Sequence, residues 1–138
     1  MSNDTQFKKQ VEKLLDQAGR EHASKHQPSK ANRYVIGVTG GFPFQVMYEK
    51  GAKTPPNIWC LANVADHVTG VECEIDRADR LRQAPGQYGR HSALEQMPQL
   101  ANADLAKFVP KTLTEVRAII DTIKALSENP GNSGRASS

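Results

Sequence analysis

Glu72, Glu74 and Asp76 stand at alternate positions. On a strand that spacing gathers three carboxylates on one face. Hard divalent cations take oxygen ligands in such groups, and metal-dependent phosphodiesterases and nucleases use the bound ion to activate water and to hold a phosphoryl oxygen. Asp66, in the turn before, would add a further ligand. A lysine two residues after an acid, which this chemistry commonly uses, is missing: Glu74 occupies that place after Glu72, and Lys50 follows Glu49 directly. Alternating charge is also the ordinary mark of a half-exposed strand with Val71, Cys73 and Ile75 turned inward. The carboxylate cluster therefore stands as an alternative, with metal ligands Asp66, Glu72 and Glu74.

The cations offer a second chemistry. Arg77, Arg80, Arg82, Arg90 and His91 fall within one irregular stretch, beside Tyr88 and Ser92. Guanidinium groups grip phosphate with paired N–H donors, and an aromatic ring can stack on a base. Lys30 and Arg33 end a connector that also holds His22, Lys25 and His26 against a single acid, Glu21. Such an arm suits a phosphate backbone. The bland counterpart is a solvated linker, with loop arginines paired to Asp76, Asp79 and Glu95. The reading adopted is a small, non-catalytic binding or regulatory protein. Lys30, Arg33, Arg77, Arg80, Arg82, Arg90 and His91 are its anion-binding residues, and DNA, RNA or an acidic protein its partner. A metal-dependent phosphodiesterase or nuclease is the alternative, and a module that binds a protein partner along an exposed sheet edge is a third.

Other constellations are incomplete. His22 and His26 have helical i, i+4 spacing, but Ala23 stands where a zinc protease carries glutamate. No cysteine pair is close enough for a zinc finger, and there is no Gly-x-Ser-x-Gly elbow. Gly51-Ala52-Lys53-Thr54 is similar to the tail of a phosphate-binding loop, with Ala52 replacing the glycine before the lysine. No cofactor is expected.

The elements that must position these residues are legible in outline. Phe7, Val11, Leu14, Leu15 and Ala18 recur at helical spacing, with Asn3 or Asp4 as the cap. Gly19 weakens the helix, which Arg20–Lys25 could extend. Strands are expected at 34–38, from about 42 to 49, at 58–64, at 71–76 and at 105–109. The first two form a hairpin through Thr39-Gly40-Gly41. Residues 58–64 are apolar on both faces, as a central strand is, and Trp59 belongs to the core. Residues 77–83 suit a short helical turn. Thr112 and Glu115 have capping-box spacing, ahead of a stripe formed by Leu113, Val116, Ile119, Ile120, Ile123 and Leu126. This order predicts an α+β domain over residues 1–128. Its mostly antiparallel sheet has four to five strands and is flanked by an N-terminal and a C-terminal amphipathic helix. Residues 129–138 read as a disordered tail.

Composition sets the outer bounds. At 138 residues, with 38% hydrophobic and 24% charged side chains, the chain is long enough to bury a core without disulfides or metal. Its net charge is +3, and the excess lies in residues 1–33, which hold seven Lys/Arg against four Asp/Glu. No apolar run spans a membrane, and residues 1–10 lack a signal-peptide core. A cytoplasmic protein is expected, with Cys60 and Cys73 as buried, reduced thiols.

Overall fold

The structure, a computed structural model, describes residues 2–27, 30–83 and 85–128, without the side chains of residues 2–4 and Arg80. The fold is α+β. A six-stranded sheet is antiparallel at every pairing and carries a helix at each end of the chain.

Helix α1 (Ser2–Ala18) buries Val11 and Leu15 and half-buries Phe7, Leu14 and Ala18, so the apolar stripe faces the sheet. It stops at Gly19 because the chain there passes tightly against the sheet. A Cβ on Gly19 would lie 2.7 Å from both Ile36 Cγ1 and the Val35 carbonyl oxygen. The two-residue strand β1 (Arg20–Glu21) follows and pairs with β2 (Ala31–Ile36). Helical extension to Lys25 is thereby excluded, and His22 and His26 do not share a helical face. Residues 129–138 lie outside the described residues.

Strands β2 and β3 (Phe44–Glu49) form the expected hairpin, in register from Ala31↔Glu49 to Ile36↔Phe44. Gly40 takes a positive φ of 79° in its loop, which favours glycine. The fully buried Ser127 ties that loop to the C-terminal helix. Its hydroxyl donates to the Phe42 carbonyl at 2.7 Å and accepts from the Val38 N–H at 3.0 Å.

Strand β4 (Asn57–Leu61) is shorter than expected, because residues Ala62–His67 wind into a 3₁₀ helix. The apolar run continues there for a different reason: Val64 buries into the same core from the 3₁₀ turn. Strand β5 (Cys73–Asp76) starts later than expected and lies at the sheet edge, since β6 (Leu105–Phe108) inserts between β4 and β5. Cys73 and Ile75 are therefore exposed rather than turned inward, and of the two free cysteines only Cys60 is buried. Helix α2 (Leu113–Glu128) opens with Thr112 Oγ1 accepting from the Glu115 N–H at 3.1 Å. Glu115 Oε1 accepts in return from the Lys111 N–H at 2.7 Å.

Both faces of the sheet are covered. α1 and α2 pack on one face over Tyr34, Val46, Tyr48, Ile58, Cys60 and Phe108. The irregular segment between β5 and β6 packs on the other, setting Ala93, Leu94, Met97 and Leu100 against Met47, Trp59 and Leu105. Each large apolar side chain so buried contributes about 1.5–3 kcal/mol. The second layer explains why residues 57–60 are buried throughout. Trp59 is in the core as expected, 7% exposed, its Nε1–H donating to Glu49 Oε1 at 3.1 Å. Among the described residues no helix is long and apolar enough to cross a membrane.

Candidate anion-binding site

Among the described side chains of the arginine-rich segment that forms the second layer, each guanidinium pairs with an acid of this same chain. Arg90 has a side chain 0% exposed. Its Nε–H donates to Asp76 Oδ1 at 2.8 Å, and its Nη2 and Nη1 donate to the carbonyls of Asp76 and Leu100. Arg33, 2% exposed, points into the same layer from β2. Its Nε–H donates to the Ala93 carbonyl at 2.9 Å and its Nη1 to the carbonyls of Ser24 and Lys25. The reading of Arg33 and Arg90 as surface phosphate grips is corrected: both are buried where no polymer reaches. His91 Nδ1 accepts from the Ala93 N–H at 3.0 Å and caps the 3₁₀ turn Ser92–Gln96. Arg77 and Arg82 are exposed. Arg77 pairs with Asp104 at 3.4 Å. Arg82 reaches Glu95 at 3.6 Å and stacks on the Tyr88 ring at 4.9 Å. The Arg80 side chain lies outside the described residues.

Nor do the two basic stretches share an end of the sheet. Asp104, which holds Arg77, immediately precedes β6, whereas Lys30 immediately precedes β2. β2 starts where β3 ends, β4 starts beside the end of β3, and β6 ends beside the start of β4. Lys30 and Arg77 thus lie at opposite ends.

The carboxylates are likewise engaged one by one. Glu74 meets Lys107 Nζ at 3.0 Å, Glu72 meets Lys111 Nζ at 3.0 Å, and Asp76 meets Arg90. Asp66 is exposed on the 3₁₀ helix. Among the described residues no three His, Cys, Asp or Glu side chains come together as a metal would need.

What the fold does gather is lysine. At the end of the sheet where β2 begins, the Lys30 carbonyl accepts from the Lys50 N–H at 2.9 Å. Lys50 Nζ is neutralised by Glu12 at 3.1 Å. One residue on, Gly51 opens the β3–β4 turn, and its carbonyl accepts from Lys8 Nζ at 2.9 Å. Lys8, Lys53 and Lys111 then line one cleft of about 470 Å³, together with Phe7, Pro55 and Val109. Lys30 and Lys53 are exposed, and neither side chain has an acid partner among the described residues. Gly51–Thr54 is a turn between strands, closed by the Thr54 N–H on the Gly51 carbonyl at 3.2 Å; no helix follows to make it a phosphate-binding loop. Lys8, Lys53 and Lys111 were absent from the expected site. The only signal in the sequence that groups them is topological: an antiparallel sheet brings the β3–β4 turn and the exit of β6 to one end.

A pH-sensitive contact lies near Arg33. His22 is 7% exposed, and burial, aided by the Arg33 charge, holds its imidazole below the usual 6.5. Its Nδ1 accepts from the Ser24 N–H at 3.0 Å, a role only the unprotonated nitrogen can fill. The unfolded chain therefore binds the proton more tightly. Stability supplied by neutral His22 is complete above pH about 6.5 and is lost as pH falls toward the lower folded value. Urea midpoints are expected to drop between pH 7 and pH 5, with a shallower drop in His22→Gln. Equal slopes for the two chains would remove His22 from the account.

No protein-family model, curated protein or solved structure matches this chain.

Proposed function

We propose that this chain is a non-catalytic binding or regulatory protein. It contacts an anionic partner, in the first instance a nucleic-acid phosphate backbone, through the lysine-bearing end of its sheet. The observation that carries this reading is that Lys8, Lys53 and Lys111 line one cleft, with Lys30 at the same end of the sheet. They come from α1, the β1–β2 connector, the β3–β4 turn and the β6–α2 link. Lys30 is retained from the sequence analysis; the arginine loop is replaced by lysines that the fold brings to the same end. The carboxylates on and beside β5 each face a cation of the chain itself, so the phosphodiesterase reading has no geometric support to set beside this one.

A fluorescently labelled single-stranded oligonucleotide, titrated at about 50 mM and 200 mM salt, tests the proposal. Affinity is expected to fall steeply with salt, because phosphate contacts release counterions. Lys53→Glu is expected to weaken binding and to flatten the salt slope by roughly one contact. Binding indifferent to salt, or none at low salt, ends the nucleic-acid reading.

A further inference from the structure

We propose that the cleft between α1, the β3–β4 turn and the β6–α2 link binds a small amphipathic anion, a carboxylate or phosphate carried on a short apolar body. This goes beyond the polymer reading, since a phosphate backbone crossing the rim would leave the cavity unfilled. The volume of about 470 Å³ falls in the range of clefts that enclose small ligands, which are mostly apolar with a few placed polar groups.

The lining has that division. Phe7, Pro55 and Val109 provide an apolar wall, while Lys8, Lys53 and Lys111 supply cations. Lys8 is held in place by its bond to the Gly51 carbonyl at 2.9 Å and keeps further N–H donors. Lys111 is shared with Glu72 in an exposed pair, which contributes little and yields easily to a better-placed anion. Lys53 carries its charge without an acid partner among the described residues. At the N-terminus of α2, close by, Thr112 already takes the Glu115 N–H, and Glu115 takes the Lys111 N–H just before the helix. Inorganic phosphate would leave the apolar wall wet, and a neutral apolar molecule would leave the lysines unmatched. A ligand with both parts satisfies the cleft.

Calorimetry and amide chemical-shift mapping on the full chain, with octanoate and phenyl phosphate as probes, test this. Inorganic phosphate and hexanol serve as half-ligands. At least one probe is expected to bind with Kd below about 1 mM, and about tenfold more tightly than either half-ligand. Shifts should centre on residues 7–8, 52–56 and 109–111. Which probe binds better identifies the head group. Lys53→Glu and Pro55→Asp alter exposed turn positions and are expected to keep the native circular dichroism while weakening binding about tenfold. Silence from both probes, parity with inorganic phosphate, or shifts centred elsewhere overturns the proposal. The oligonucleotide titration separates the two readings. An oligonucleotide that binds a chain inert to both probes overturns this inference alone. Octanoate binding without oligonucleotide binding supports it and removes the polymer reading.

Discussion

Arg90→Ala is expected to destabilise the fold by about 3–4 kcal/mol, because it removes a fully buried guanidinium and takes a close cationic partner from the partly buried Asp76 carboxylate. Arg90 joins three parts of the molecule: the edge strand β5 through Asp76, the irregular second layer that carries it, and the approach to β6 through the Leu100 carbonyl. Its side chain is 0% exposed and that of Asp76 is 13% exposed, so solvent does little to replace the lost contact. The charge pair itself is not the main source of stability. Taking both ions out of water costs nearly as much as their attraction returns, so the loss comes from breaking the network that the guanidinium closes with Asp76 and the Leu100 carbonyl. The double variant Asp76→Asn with Arg90→Leu is accordingly expected to recover part of the deficit. Urea unfolding followed by tryptophan fluorescence reads both, since Trp59 packs in the same layer. A single variant with an unchanged urea midpoint would mean that β5 and the second layer are held by apolar packing alone.

Arg33→Met should cost about 2–3 kcal/mol, for a different reason: it removes a donor fork rather than a charge partner. The guanidinium satisfies the carbonyls of Ala93, Ser24 and Lys25, and methionine fills the space while donating nothing. It thereby ties the His22–Lys25 turn to the segment that covers the sheet. Lys25 holds a positive φ of 72° in that turn, an unfavourable conformation that persists where surrounding contacts enforce it. Burial also lowers the affinity of Arg33 for its proton, which measures the opposing cost of placing the cation here. Arg33→Lys keeps the charge and loses the planar fork, and is expected to be nearly as damaging. Amide exchange of residues 22–26 is the sharper readout: it should quicken in both variants. Protection unchanged from the parent chain would show that those carbonyls find other donors.

Much of the architecture was legible because it is periodic. The stripe from Phe7 to Ala18, the stripe from Leu113 to Leu126 with its Thr112 cap, and the hairpin around Gly40 each arise within a dozen or so residues of chain. Local spacing decides such elements. The misjudged boundaries share a cause. Val64 extends the apolar run of a strand because a 3₁₀ turn buries it, and Cys73 and Ile75 alternate with acids as an inward face would. Only the insertion of β6 beside β5 leaves them on an exposed edge. Arg33 read as the end of a basic arm because Ala93, whose carbonyl draws it into the second layer, lies 60 residues away.

The sequence by itself determined an α+β protein with two amphipathic helices, a central apolar strand at Trp59 and a modest excess of positive charge. Each of these follows from residue type and short-range spacing. Which cations are buried and which stay exposed was decided by the tertiary structure alone. Burial of the second layer consumed Arg33 and Arg90, antiparallel pairing set Lys30, Lys53 and Lys111 at one end of the sheet, and α1 brought Lys8 to the same end. Charge acts through space over distances that chain order does not encode, so a grouping of lysines made where strand ends meet has no signature along the chain.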